Sequence, residues 1–143
     1  MTRSDFYVLP TPDPDARLRF ACQLIEKVQA LGHRVYVRTE SESAARALDE
    51  RLWDFREEAF VPHALVAANE DAPVQIGYGD SLPEHRDVYL NLALQVPEPA
   101  LAFNRTLEVV IQEDTVLEAT RANYRCYQQR GFEIHMNDMR AKR

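Results

Sequence analysis

The sequence predicts a three-layer α/β fold in which helices flank a mostly parallel central sheet. Short apolar runs alternate along the chain with segments of helical periodicity. The first three segments follow the order strand, helix, strand, for which a right-handed parallel crossover is the default. The chain has 143 residues, 45% of them hydrophobic, which suits one core. We therefore expect one Rossmann-like domain over residues 1–143, with a basic C-terminal tail at 136–143 that frays.

The first half of the chain contains two predicted strands and two predicted helices. Residues 6–9 form an apolar run that ends at a proline cluster, as expected for a buried strand followed by a loop. Apolar residues then recur at helical spacing from Leu18 to Gly32, and glycine is a natural residue at a helix C-terminus. Residues 34–37 are predicted to form the second strand and residues 42–53 the second helix.

The second half continues the alternation. Strands are predicted at 74–78, 88–92 and 105–111, with a short helix at 97–103. The last helix is predicted to start near Asp114, a good N-cap, and to end before Gly131. Phe132, Ile134 and Met136 then alternate with polar residues, which predicts an edge strand with one buried face.

Charge is distributed unevenly along the chain. The net charge of −6 argues against broad DNA binding, which requires clustered cations to neutralise phosphates. From Arg121 to the C-terminus, six basic residues outnumber two acidic ones, so this end carries +4 and residues 1–120 carry −10. A basic end on an acidic body suggests an acidic partner, although a solvated face explains it equally well. No apolar run approaches 18 residues and no leader is recognisable, so we expect a cytoplasmic protein without a membrane partner.

The sequence contains no recognisable catalytic set. Three prolines follow the first predicted strand and remove amide donors where a phosphate would need them. Gly77 and Gly79 lack the third glycine of a dinucleotide-binding turn. The four histidines are scattered and the two cysteines lie far apart, so neither a metal nor a cofactor is expected. A small nucleotide-binding α/β enzyme, with its ligand at the carboxyl edge of the sheet, is the alternative hypothesis.

The last predicted helix carries the better-defined candidate site. Arg121 and Arg125 are one turn apart on one face, and Tyr124 follows Arg121 by three residues. A guanidinium and a phenol that flank one shallow groove suit a peptide that ends in a carboxylate after an apolar side chain. In the alternative interpretation, Tyr124 and Tyr127 are core residues and the arginines pair with Glu118.

A second candidate surface is rich in aromatic residues. An amphipathic helical segment over 48–53 ends near Trp53, the only tryptophan of the chain. Phe60 follows, and Pro62 restricts the preceding residue to extended or turn conformations. These residues suit either a core plug or a surface that docks a partner.

Several blocks, taken in order, resemble the chi subunit of the bacterial DNA polymerase III holoenzyme. The blocks cover nearly the whole chain, and their order and spacing are more specific than any one of them. They comprise residues 5–9, 32–37, 48–53, 60–63, 73–76 and 87–92, followed by Arg121, Tyr124, Tyr127, Gly131 and Phe132.

The resemblance implies a non-catalytic accessory subunit that bridges two partners during DNA replication. One is the acidic C-terminal tail of the single-stranded DNA-binding protein, which ends in a phenylalanine carboxylate. The other is the psi subunit, which links chi to the clamp loader, so both the clamp loader and DNA are contacted only indirectly. This function would place the protein at the replisome, in the nucleoid.

The resemblance also implies which residues serve each partner. The residues implied for binding of the tail peptide are Val110, Leu117, Arg121, Tyr124 and Arg125. The candidate psi interface consists of Trp53, Phe60, Pro62 and His63. Other family members carry a lysine at the position of Leu117, so we expect Arg125 or Arg105 to supply the second cation here.

Overall fold

The structure, a computed structural model, describes residues 2–54, 63–65, 72–79 and 82–140, and for residues 53–54 and 63–65 it describes the backbone alone. Seven strands and three α-helices follow one another in the described residues. The strands are β1 (Arg3–Val8), β2 (Val35–Thr39), β3 (His63–Leu65), β4 (Val74–Tyr78), β5 (Val88–Asn91), β6 (Arg105–Val110) and β7 (Glu133–Asp138). The helices are α1 (Pro14–Ala30), α2 (Glu42–Asp54) and α3 (Asp114–Gln129), with a short 3-10 helix at Glu98–Ala102.

The strands form one sheet in the order β3-β4-β2-β5-β6-β1-β7, and all pairings between them are parallel. Successive side chains of a strand point to opposite faces. Accordingly, Tyr7 packs on Phe20 of α1 with ring centroids 5.4 Å apart, whereas Phe6 packs on Tyr124 of α3 at 5.7 Å. Helix α2 adjoins α1, so two helices cover one face and α3 covers the other. The predicted three-layer α/β fold is confirmed.

Helix α1 begins at Pro14, four residues before Leu18, where the predicted helical periodicity begins. Asp13 caps it by accepting a hydrogen bond from the Asp15 amide at 3.0 Å, and Pro14 occupies its first turn, where a missing amide hydrogen is harmless. The helix buries one apolar stripe, which includes Cys22, against the sheet. The chain leaves the helix through Gly32, whose φ of 93° favours glycine.

Strand β1 begins at Arg3 rather than at residue 6, and a buried carboxylate explains the difference. Asp5 is only 1% exposed, which the polar character of its side chain does not predict. Arg3 donates to it at 2.9 Å and Arg105, the register partner of Arg3 on β6, donates at 2.7 Å. These two ion pairs compensate the burial of the charge and allow the strand to start earlier.

The two edges of the sheet are β3 and β7. The strand β3 was not predicted from the sequence, whereas β7 is the expected edge strand and pairs with β1. The expectation of a buried face on β7 is wrong at Met136, which is 54% exposed, while Ile134 is partly buried. Residues 136–138, assigned above to the C-terminal tail, belong to β7, and the amide of Met139 still donates to the Val8 carbonyl at 2.9 Å.

Candidate peptide-binding groove on helix α3

Helix α3 is positioned at its start by a carboxylate cap. The cap is Glu113 rather than the predicted Asp114, because the Glu113 side chain accepts hydrogen bonds from the amides of Thr115 and Val116 at 3.1 and 3.0 Å. These bonds stabilise the charged form and lower the pKa of Glu113 below its usual value. Asp114 is the first helical residue, where its negative charge interacts favourably with the positive end of the helix dipole.

A buried polar network fixes α3 on the sheet. The hydroxyl of Tyr127 donates to Oε2 of Glu108 on β6 at 2.6 Å, and Nδ2 of Asn91 on β5 donates to both oxygens of the same carboxylate at 3.1 and 3.2 Å. One turn earlier in the helix, Nδ2 of Asn123 donates to the Leu94 carbonyl at 3.0 Å. Burial raises the pKa of Glu108 to about 7 in spite of these donors. The network therefore ties one face of α3 to two strands and a loop.

The side of α3 that faces β7 borders an open groove of about 320 Å³. The groove is lined by Phe6, Thr120, Arg121, Tyr124, Arg125 and Met136. Phe6 and Met136 are register partners on β1 and β7, and they form an apolar floor on which Tyr124 packs. The structure thus brings together three of the residues singled out in the sequence, Arg121, Tyr124 and Arg125.

The two arginines of the groove are available to a ligand. Both are exposed, and among the described residues neither forms an ion pair, so the alternative pairing with Glu118 is not present. A third arginine of this region, Arg130 at the C-cap of α3, does pair, with Glu98. The groove therefore combines uncompensated positive charge with an aromatic floor. Such a site can hold an apolar side chain next to a carboxylate.

Comparison with known proteins assigns the chain to a family. The family model described as "DNA polymerase III chi subunit, HolC" matches residues 1–135. The chain belongs to the chi-subunit family of DNA polymerase III. The chi subunit of Pseudomonas aeruginosa is 42% identical over 134 residues, covering 94% of each chain. That of Escherichia coli is 30% identical over 142 residues, covering 94% of this chain and 97% of the relative.

Three further residues considered for the groove lie elsewhere in this member of the chi family. Val110, at the end of β6, is 2% exposed and is part of the core. Leu117 is partly buried and packs against the same core. Arg105 is held by Asp5, so Arg125, rather than Arg105, is the second cation at the groove.

Sequence patterns did not predict three of the groove residues, Phe6, Thr120 and Met136. The sequence contained enough information to predict Thr120, because it lies one residue before Arg121 and one turn before Tyr124 on the same helix. It did not contain enough to predict Phe6 and Met136, because their proximity depends on β7 pairing with β1 at a register that the sequence does not reveal. Sheet order, a long-range property, was the missing information.

The residues suggested for the psi surface fall mostly outside the described part of the chain. Phe60 and Pro62 lie outside it, and for Trp53 and His63 only the backbone is described. Trp53 is in the last turn of α2, and His63 opens β3. The backbone of His63 therefore lies at the β3 edge of the sheet, and the groove lies at the other edge, β7.

The carboxyl ends of the strands, where the alternative hypothesis places a nucleotide, border a crevice of about 310 Å³. Its charged groups are Glu40, Glu113 and Arg17. Glu113 occupies the first amides of α3, and Arg17 donates to the Val109 carbonyl at 2.9 Å, while burial lowers the pKa of its guanidinium. The two carboxylates would repel a phosphate, and the first amides of α3 are already bonded to Glu113. The crevice therefore does not suit a phosphate ligand. In the described residues, no cluster of His, Cys, Asp and Glu could hold a metal ion, and no helix is long and apolar enough to cross a membrane.

Proposed function

We propose that this chain is a non-catalytic adaptor of DNA polymerase III that connects the psi subunit to the C-terminal tail of the single-stranded DNA-binding protein. The observation that carries this proposal is the groove on α3, with two unpaired arginines above an aromatic and apolar floor. Membership of the chi family supports the polymerase context. The adaptor would act at the replisome, in contact with DNA only through its partners and with the clamp loader only through psi.

The chemistry of the groove matches an acidic tail that ends in phenylalanine. The terminal ring would pack on Phe6, Tyr124 and Met136, and its carboxylate would accept hydrogen bonds from Arg121 or Arg125. Burial of one phenylalanine contributes about 1.5–3 kcal/mol, and a charge-assisted hydrogen bond about 1.5–3 kcal/mol. After the cost of ordering the peptide, these terms give affinities on the order of micromolar.

The topology supports simultaneous binding of both partners. The groove lies at the β7 edge, and His63, one residue of the candidate psi surface, opens β3 at the other edge. Six strand spacings of about 4.8 Å separate the two edge strands, a distance of about 29 Å. Two partners at opposite ends of the sheet would not collide, as a bridging subunit requires.

Calorimetric titration with a peptide of the acidic tail tests the groove. Arg121→Ala should weaken binding by about tenfold, because the carboxylate loses a charged hydrogen-bond donor. The matched control is Arg130→Ala, which removes a nearby cation that already pairs with Glu98. It should change affinity by less than about twofold, the scale of an exposed ion pair.

A peptide with an amidated C-terminus should bind the wild type as weakly as the normal peptide binds Arg121→Ala. Equal affinity of the wild type and Arg121→Ala would place the site elsewhere. A thermal-shift assay with ATP and a dinucleotide covers the alternative: stabilisation by either nucleotide, without any by the peptide, would favour the nucleotide-binding enzyme.

A further inference from the structure

A second groove lies on the other side of β7. Its volume is about 480 Å³, and it runs between α1 and the edge strand on the face opposite α3. Tyr7, Phe20, Leu24 and Met139 supply its apolar lining, and Lys27 supplies a cation. Because β7 is the last strand of the sheet, only its thickness separates this α1 groove from the α3 groove.

The polar groups of the α1 groove favour an anionic ligand. Lys27 is exposed, and within the described ranges no carboxylate pairs with it. The one carboxylate of the lining, Asp138, is neutralised by Arg140, which donates to its two oxygens at 2.9 and 2.6 Å. The bonds to Arg140 lower the pKa of Asp138 to about 2, so the pairing persists throughout the neutral range.

The outer edge of β7 connects the two grooves and offers backbone donors. The amides of Glu133 and Met139 donate to β1, at 3.0 Å to the Thr2 carbonyl and 2.9 Å to the Val8 carbonyl. Because successive amides of a strand point in opposite directions, those of Ile134, Met136 and Asp138 point away from β1. No strand of the described residues pairs with this side.

We propose that the acidic segment preceding the terminal phenylalanine of the tail crosses the outer edge of β7 and places a carboxylate at Lys27 in the α1 groove. This inference rests on the proposed function, since it needs the terminal residue to be seated in the α3 groove. The two grooves flank one edge strand on its opposite faces. An extended chain advances about 3.3 Å per residue, so an eight-residue peptide spans up to about 26 Å, enough to pass around a single strand, whereas a three-residue peptide spans no more than about 10 Å.

Peptide length separates this inference from the function on which it rests. A three-residue peptide with the terminal phenylalanine should bind Lys27→Gln as it binds the wild type, because it ends before the crossing. An eight-residue acidic peptide should bind Lys27→Gln about threefold more weakly, the scale of one partly exposed ion pair. The control Arg19→Gln, on the same helix but paired with Asp15, should affect neither peptide. Unchanged affinity of the long peptide for Lys27→Gln overturns the crossing.

The methyl resonances of two methionines give a second readout that needs no substitution. Met136 lines the α3 groove and Met139 lines the α1 groove. The short peptide should shift Met136 alone, and the long peptide should shift both. A long peptide that leaves Met139 unmoved contradicts the crossing but leaves the proposed function intact. If neither peptide shifts Met136 and Arg121→Ala binds both normally, the proposed function itself fails.

Discussion

The face of the sheet that α3 covers is buried in two different ways. Beneath α3, near β7, the strands present polar groups to the helix. Oγ1 of Thr106 donates to Oγ of Ser4 at 2.7 Å, and Tyr127 donates to Glu108 at 2.6 Å. These four buried polar groups thus have partners, and each bond has a preferred length and direction.

Toward β3, the same face is covered by aromatic rings from strands and a loop. Tyr36 on β2 and Tyr89 on β5 lie 5.4 Å apart between centroids, and Phe103, after the 3-10 helix, packs on Tyr89 at 5.1 Å. The fit is close at Gly77 on β4, where a Cβ would lie 2.5 Å from the hydroxyl oxygen of Tyr36. Close packing of aromatic rings therefore dominates this end of the face.

The difference bears on how each end could serve a partner. Directional bonds specify where α3 sits, so the shape of the α3 groove follows from the network beneath it. Ring packing specifies orientation less strictly, and because Tyr36, Tyr89 and Phe103 are fully buried, a partner at this end would contact other side chains. If the two ends are independent, each can be impaired while the other keeps its function.

The largest expected effect is at the β3 end. Replacing Trp53 with Ala should weaken binding of the psi subunit by more than about 2 kcal/mol, or roughly thirtyfold, because a buried aromatic anchor dominates an interface. Affinity for the tail peptide should not change, since the α3 groove is at the opposite edge. Calorimetry with each partner measures both affinities.

Circular dichroism of the Trp53→Ala variant decides between the two interpretations of this residue. A folded variant with a lost psi affinity supports the docking surface. An unfolded variant means that Trp53 belongs to the core, and the psi surface must then be sought elsewhere. Arg121→Ala is the reciprocal variant, and it should bind psi as the wild type does.

The next effect concerns the polar network under α3. The pKa of Glu108 is raised to about 7 by burial, from 4.5 in an exposed glutamate, so the folded protein retains a proton that the unfolded chain releases. Unfolded chains therefore bind fewer protons between pH 4.5 and 7, and the free energy of unfolding should fall as pH rises through this window. The expected fall is about 3 kcal/mol, because each pKa unit between 4.5 and about 7 contributes about 1.4 kcal/mol, and it should level off above the folded-state pKa.

Urea unfolding of the wild type and Glu108→Gln at several pH values measures this contribution. The variant keeps an oxygen that can accept from Tyr127 but has no proton to release, so its stability should lack this component of the pH dependence. At pH 8 it should be at least as stable as the wild type, in which the carboxylate is charged and buried. Parallel pH profiles for the two proteins would exclude Glu108 as the source.

The sequence predicted elements well where the pattern is local. Strand β4 was predicted at its observed bounds, 74–78, because a buried run lies between turn residues. The start of β1 was missed because the buried carboxylate of Asp5 depends on Arg105, which is 100 residues away. For the same reason, only part of the α3 groove was predicted. Helical spacing locates Arg121, Tyr124 and Arg125, whereas its floor depends on β7 lying next to β1.

The smallest expected effect is at Leu117, where the resemblance to the chi family implies a lysine. Leu117→Lys would restore that cation one turn before Arg121, yet Leu117 is partly buried against the core and does not line the groove. A lysine there can extend its ammonium to solvent along its stem, and would act on the peptide only through screened charge. Affinity should rise by no more than about twofold at low salt, and the gain should vanish near 0.3 M salt.

The same substitution should lower the free energy of unfolding. Loss of leucine packing should destabilise the fold by about 1 kcal/mol, with a small further penalty from like charges at i and i+4. A tenfold gain in affinity that persists at high salt would mean that the lysine contacts the peptide directly. The α3 groove would then extend toward the N-terminus of α3, beyond the six residues that line it here.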